Sequence, residues 1–411
     1  MGNFDIAIAG CGIAGLTAAL LLRRQGHAVV LYERFDEPRP LGSGLMLQPT
    51  GLAVLAELGL AEEVAAHSAP IVRLYGCNTH GETVLDARYA DLGRPGVCGL
   101  GIHRASLFGA LHDAVLAAGI AVRTGCEVTG SELTSRGRRL LFAAADPSPA
   151  HDLVIDGLGV ATPLTPAKEG WLPYGALWTT LAWPKDGPFR PDRLEQRYER
   201  ARKMAGVLPT GRRRGTGRNE LALFWSLRAD VYGDWRERGL AAWKDELVAL
   251  WPQCAGLLEQ VADPAQLTFA RYAHRTHRRP VAERLIHIGD AWHSASPQLG
   301  QGANMALLDA WALAKALGGD GPLDARLAAA VELRGSHVRL YQWLTALFTP
   351  AYQSDSAWPA LIRDMVLAPL SRLPPGPGVQ ANMVSGLTGG PLGRLGLAWP
   401  DYPSAMVAVP R

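Results

Sequence analysis

Phe4-Asp5-Ile6-Ala7-Ile8-Ala9-Gly10-Cys11-Gly12-Ile13-Ala14-Gly15 runs an apolar strand directly into three spaced glycines. The strand has the continuous hydrophobicity of one buried on both faces. Residues 13–25 then carry helix-forming residues up to Gly26, and Ala28-Val29-Val30-Leu31-Tyr32 reads as a second, parallel strand ending at Glu33. This is a βαβ unit with a mechanical reason for each glycine. Gly10 allows the tight turn, Gly12 lets a pyrophosphate approach the backbone, and Gly15 lets helix and strand touch. The helix N-terminus, with Ile13 and Ala14 in its first turn, offers unpaired N–H groups and partial positive charge to phosphates. Glu33 ends the second strand, where a carboxylate can accept ribose hydroxyl hydrogens. Strand, glycine turn, helix and acid together predict a dinucleotide site.

A second motif says which dinucleotide. Leu285-Ile286-His287-Ile288 is another apolar strand, followed by Gly289-Asp290-Ala291-Trp292-His293 and then by Pro297-Gln298-Leu299-Gly300-Gln301-Gly302-Ala303-Asn304. Asp290, at a strand end, suits sugar-like hydroxyls. The 297–304 loop is small enough to approach a flat ring. The helix starting near Asn304 turns its positive end toward that ring, and a reduced flavin carries negative charge at N1–C2=O. FAD, held from adenosine to isoalloxazine, is the expected cofactor.

On these residues, together with Glu33-Arg34 and Arg104 in His103-Arg104-Ala105-Ser106-Leu107, the chain resembles the FAD-dependent aromatic hydroxylases, the class A flavoprotein monooxygenases. The resemblance spans about residues 4–320. It implies that Glu33 binds the adenosine ribose, that Arg104 contacts the ribityl–phosphate region, that Asp290 binds the ribityl chain, and that 297–304 lines the flavin. Gly42, Gly44 and Leu45 match the family's small-residue loop. It further implies reduction by NADPH or NADH, then a C4a-hydroperoxide that passes one oxygen of O2 to an electron-rich carbon. The cofactor carries that step, so no metal or nucleophilic dyad is expected. One segment departs from the pattern. Where the family has Gly-Ala-Asp-Gly and a serine, this chain reads Asp156-Gly157-Leu158-Gly159-Val160-Ala161-Thr162. Aligned without a gap, Leu158 replaces an aspartate associated with FAD and NADPH handling while Gly159 is retained; a two-residue shift restores Asp156 instead. The gapless reading makes an external flavin reductase an alternative source of electrons.

The expected fold class is α/β: a discontinuous Rossmann-like FAD-binding domain (1–162 and 281–320), an inserted β-sheet substrate domain (163–280) and a helical C-terminal region (321–411). Residues 71–94 are candidates to join the substrate side. Prolines punctuate 163–191, and residues 177–183 and 220–227 read as strands. Trp178, Phe224, Trp225, Tyr272 and Trp292 are candidates for an apolar pocket above the flavin. His293 is a candidate to poise a phenolic proton, with Pro297 beside the ring. The 12 tryptophans in 411 residues favour a large or planar substrate. The function so read is hydroxylation or epoxidation of an aromatic, quinone-like or polycyclic small molecule, with specialised metabolism as the setting expected by analogy. A dehydrogenase or oxidase on the same scaffold, or a flavin-binding protein without turnover, stays open.

Composition narrows the partners. A net charge of +3 is too small to imply nucleic acid. Five cysteines at 11, 77, 98, 126 and 254 have no paired spacing, against a disulfide framework or zinc site and in favour of a reducing compartment. No basic leader or long apolar span is read, so a cytoplasmic protein without an integral membrane segment is expected. Apolar helical segments in the tail, such as 340–348, suit core packing or a homodimer face.

Overall fold

The computed structural model describes residues 3–39, 42–165 and 170–402. Two sheets organise it. The first has six strands in the order Val281–Ala282, Leu285–His287, Leu153–Asp156, Asp5–Ala9, Ala28–Tyr32 and Ala121–Arg123. All pairs are parallel except the outermost, between Val281–Ala282 and Leu285–His287. Ile8 lies between Leu31 and Ile155, and Ile155 faces Ile286, so the two dinucleotide-type motifs leave neighbouring strands at the same sheet end. Helices Ile13–Arg24 and Gly302–Leu317 pack against one another on this sheet. Ile6, Ile8, Leu16 and Leu308 are fully buried in the resulting core.

The second sheet has seven strands: Thr268–Ala273, Trp171–Ala182, Asn219–Arg228, Lys203–Arg212, Arg193–Glu199, Arg73–Asn78 and Thr83–Arg88. Neighbours are antiparallel except Arg193–Glu199 with Arg73–Asn78. The last two strands come from the sequence before residue 95, so the 163–280 segment builds only part of this sheet. Side chains alternate between its faces. Leu177, Leu223, Trp225 and Trp243 form a core beneath the helix Tyr232–Leu250. Met46, Leu208, Ala222 and Phe224 form another on the opposite face, toward the cofactor-type domain. A three-stranded sheet, Gly44–Leu47, Gly99–His103 and Ser68–Ile71, lies between the two domains.

Val128–Thr134 pairs with Gly137–Phe142 as a separate hairpin. A helix over Tyr232–Leu250 is broken at Gly239 by a φ of 80°. Helix Leu323–Tyr352 runs 30 residues and packs on Gly302–Leu317. Among the described residues no helix is long and apolar enough to cross a membrane.

Candidate cofactor and substrate site

The first glycine turn has the shape its sequence requires. Gly10 has φ 96°, and a Cβ there would lie 2.9 Å from the Gly157 carbonyl. A Cβ on Gly15 would lie 2.0 Å from the Gly10 carbonyl, so helix and turn touch directly. Gly12 meets almost nothing, its nearest neighbour lying 3.9 Å away. It starts helix Ile13–Arg24, which has no side-chain N-cap and no acid in its first turn. Its leading N–H groups are therefore left for a ligand. Glu33 accepts from the Cys11 N–H at 2.9 Å and the Phe35 N–H at 3.2 Å, which fixes its carboxylate beside the turn. Burial, then the Glu33 charge, pushes the Cys11 thiol up to about 12, so it is an inert neutral group. Arg34 is exposed and stacks on Phe35 at 4.5 Å.

Asp290 and Arg104 line a cleft. Both side chains reach solvent, yet protein atoms crowd them. That crowding raises the Asp290 pKa, against the opposing pull of His293 and Arg104, and lowers that of Arg104. Gly42, with φ 102°, brings its backbone over Arg104: a Cβ there would lie 3.2 Å from Nε. Gly44 is half-buried against the large sheet. A Cβ on it would come within 2.7 Å of Ala222 and Thr210, so its smallness lets the large sheet dock. Leu45 is half-buried against the core.

The 297–304 loop divides into exposed and bracing residues. Pro297 and Gly302 are exposed and Ala303 is half-buried. Gly300 adopts φ 63°. Helix Gly302–Leu317 again lacks a side-chain cap and a first-turn acid. Gln301 and Asn304, expected as cofactor contacts, are instead turned inward. Gln301 Nε2 donates to the carbonyls of Leu299 and Val384. Asn304, fully buried, accepts from the Gln48 N–H at 2.8 Å and donates to the carbonyls of Met46 and Gly300 at 3.1 Å. Asn304 thus holds the loop against the Gly44–Leu47 strand, and Gln301 ties it to Val384.

His293 is not placed to handle a substrate proton. It is buried, and its Nε2 lies 2.7 Å from Asp309 Oδ2 on the following helix. The same carboxylate accepts from the Gly289 N–H at 3.0 Å and, through Oδ1, from Arg334 Nε at 2.8 Å. Arg334 reaches His337, which meets the Gly386 carbonyl. Burial would raise the Asp309 pKa, but the charges and hydrogen bonds of His293 and Arg334 hold it at about 2. The Gly289 turn, with φ 58°, is thus tied to two helices by a buried ionic network. Nothing in local spacing signalled Asp309 or Arg334. Trp292 is also displaced from its expected role. It is buried behind the loop with Leu299, Met305, Val338 and Tyr341.

Three of the five aromatic candidates share the sheet face turned toward the cofactor-type domain. Trp178 and Phe224 pair across strands with ring centroids 4.8 Å apart, and Trp178 Nε1 donates to the Tyr272 hydroxyl at 3.0 Å. Trp225 is excluded by alternation: it points to the other face, against Leu177 and Trp243. Met46 links this wall to the loop. It packs in the Phe224 cluster, and a Cβ on Gly300 would sit 3.7 Å from its Cβ. Ser43, Thr180 and His103 add a polar link missed in the sequence. Thr180 Oγ1 lies 2.7 Å from Ser43 Oγ and 3.2 Å from His103 Nε2. Burial, helped by Arg213 and Arg104, lowers the His103 pKa to about 4.

The atypical 156–162 segment is internally satisfied. Asp156 is fully buried, with Oδ2 at 2.6 Å from both His287 Nδ1 and Thr162 Oγ1, and Oδ1 accepting from the Leu158 N–H. Leu158 packs against the cluster of Leu140, Val154 and Leu285. Gly159 turns with φ 81° into open space.

Comparison with known proteins agrees with this geometry. The family model described as "FAD binding domain" matches residues 3–139 and 197–334. The chain is 27% identical over 365 residues to a putative 2-heptyl-3-hydroxy-4(1H)-quinolone synthase of Rhodococcus erythropolis, covering 82% of this chain and 86% of that protein. Among solved structures, a tetrameric form of 2-methyl-3-hydroxypyridine-5-carboxylic acid oxygenase superposes with TM-score 0.76 at 21% identity, covering 98% of this chain and 100% of that one. The Klebsiella pneumoniae protein HpxO, complexed with FAD and uric acid, does so with TM-score 0.78 at 21% identity, covering 94% and 97%. The chain belongs to the FAD-binding-domain family of class A flavoprotein monooxygenases, and is an FAD-dependent monooxygenase related to the aromatic hydroxylases.

Proposed function

We propose that the chain inserts one oxygen atom into an electron-rich aromatic or N-heteroaromatic ring held between the Trp178–Phe224–Tyr272 face and the 297–300 loop. One observation supports this reading: Met46 packs in the Phe224 cluster and would lie 3.7 Å from a Cβ on Gly300, so the aromatic face adjoins the loop. The quinolone named for the R. erythropolis relative is the chemical class from which to begin.

The residues fit FAD. Two helix starts, at Gly12 and Gly302, lack side-chain caps and first-turn acids, and Asp290 and Arg104 lie near enough to act on each other's charge. In this assignment Glu33 takes the adenosine ribose, the 10–15 turn takes the pyrophosphate, and Asp290 and Arg104 hold the ribityl–phosphate span. The uncapped Gly302 and Ala303 amides would hold the flavin ring's electron-rich edge, with Pro297 a further contact. Bound FAD supplies the chemistry that activates O2.

The remaining work falls to the chain's own side chains. Trp178 and Phe224 orient a flat ring by stacking and keep water from it. Burial raises the Tyr272 pKa, so its hydroxyl stays protonated through neutral pH. It accepts from Trp178 and keeps its own hydrogen for a substrate oxygen. NADPH or NADH is the proposed source of electrons. The test is nicotinamide oxidation by FAD-loaded protein with and without 2-heptyl-4(1H)-quinolone, read with product mass. Accelerated oxidation and a product heavier by one oxygen support the reading. Loss of two hydrogens instead argues for dehydrogenation. Turnover only with an added flavin reductase assigns the electron supply elsewhere.

A further inference from the structure

A cavity of about 430 Å³ remains outside that assignment. It lies between the start of strand Trp171–Ala182, His274 and the last turns of helix Leu323–Tyr352, with Trp171, Leu172, Tyr174, Ala346 and Pro350 in its wall. The cavity opens to solvent, and its volume is in the range of small-molecule pockets.

Three observations connect it to the reaction site. Thr349 lines the cavity, and its hydroxyl lies 2.7 Å from Ser296 Oγ, next to Pro297. Tyr174 stands on the same face of its strand as Trp178, because its pairing with Arg228 continues the register that sets Trp178 opposite Phe224. Trp343, Ala346, Leu347 and Pro350 follow at helical spacing of three and four residues. An apolar stripe therefore runs along the helix from solvent into the cavity wall. Trp171, in the cavity wall, is 46% exposed, and Trp343 and Leu347, on the stripe beyond Ala346, are 61% and 55% exposed, large apolar surfaces left to solvent. Among the described lining residues the Gln353 amide and His274 Nδ1 are buried without protein partners.

We infer that this cavity is a second substrate subsite, which takes an apolar substituent, such as a hydrocarbon chain, on the ring to be oxygenated. The inference rests on the ring lying against Trp178, Phe224 and Tyr272. The substituent then passes Thr349 into the cavity and emerges along Trp343 and Leu347. Specificity for the substituent is set by Ala346 and Pro350, away from the residues that hold the ring.

Binding without turnover tests it. FAD-loaded protein, without nicotinamide, is titrated with 4(1H)-quinolones bearing methyl, propyl, pentyl and heptyl groups at the ring carbon next to nitrogen, followed by tryptophan fluorescence and flavin absorbance. Each added methylene is expected to tighten binding roughly fourfold, from ~0.8 kcal/mol per buried CH2. Ala346→Phe, at an exposed position, is expected to flatten the series while leaving the methyl compound's affinity and FAD occupancy unchanged. Trp171→Ser, at the mouth, is expected to weaken only the longer members, and supplies the same reading if Ala346→Phe melts early. Affinity independent of chain length, a slope unchanged in both variants, or no binding by any member overturns the subsite. Chain-dependent binding without oxygen insertion removes the proposed reaction and keeps the subsite. Oxygen insertion with a flat series removes the subsite alone.

Discussion

Asn304→Ala is expected to loosen the 297–304 loop. Asn304 is fully buried and makes three hydrogen bonds that no other side chain replaces: from the Gln48 N–H at 2.8 Å, and to the carbonyls of Met46 and Gly300 at 3.1 Å. Truncation leaves the Gln48 N–H and two carbonyls facing an apolar gap. An orphaned buried donor or acceptor costs ~1–3 kcal/mol, and carbonyls with a second lone pair cost least, so the total expected is about 3–4 kcal/mol. Helix Pro49–Glu57 cannot collapse to close the gap without shifting, since Gly51 already packs on the Asn304 amide. The assay is urea denaturation of the FAD-free protein, paired with FAD titration by flavin fluorescence. We expect a stability loss of about 3 kcal/mol and FAD affinity down roughly tenfold to a hundredfold, from ~1.4–2.7 kcal/mol of lost preorganisation. Asn304→Asp keeps the shape and the Gln48 bond but sets a carboxylate against two carbonyls, and is expected to be at least as damaging. If Asn304→Ala stays within about 0.5 kcal/mol of the parent and binds FAD equally well, the bracing role assigned to this amide is wrong.

The other predictions address the ionic network and the two sheet faces. Arg334→Met removes a buried partner of Asp309 and is expected to cost ~3–5 kcal/mol in urea denaturation; a loss under about 1 kcal/mol would show that His293 alone satisfies the carboxylate. Burial, then the Arg334 charge, lowers the His337 pKa to about 3, below its value of 6.5 when unfolded. Its contribution to stability is thus complete above pH 6.5 and lost as pH falls toward 3, by up to ~1.4 kcal/mol per pH unit. His337→Gln should reduce the slope of unfolding free energy against pH in that window. Gly206→Ala puts a Cβ 1.9 Å from the Phe224 ring and is expected to cost ~1–3 kcal/mol while weakening quinolone binding, read by denaturation and titration. Trp225→Ala, on the other face, should cost ~3–5 kcal/mol with quinolone affinity unchanged; a selective loss of affinity would return Trp225 to the pocket.

The two glycine motifs were legible because backbone geometry dictates their residues. Gly10 must adopt a positive φ and Gly15 must leave room for the Gly10 carbonyl, so their spacing announces the turn without any distant information. The large sheet was harder to read. Arg73–Asn78 pairs with Arg193–Glu199, more than a hundred residues later, and no local pattern encodes that partner. Phe224 and Trp225 are adjacent and both apolar because both sheet faces are buried, so hydrophobicity did not say which faced the site. Gln301 and Asn304 sit in a ligand-type loop, but their side-chain amides bond to backbone of the loop and of its neighbours Met46, Gln48 and Val384. His293 resembled a proton carrier until Asp309 and Arg334, supplied by two later helices, claimed its surroundings.

Oxygen insertion into an aromatic ring is the central claim, and isotope incorporation tests it most directly. FAD-loaded protein, NADPH and 2-heptyl-4(1H)-quinolone are incubated under oxygen-18 gas in ordinary water, and the product is analysed by mass spectrometry. One oxygen-18 atom is expected in each product molecule. Unlabelled oxygen in the product, or a product lacking two hydrogens with hydrogen peroxide released, would contradict it.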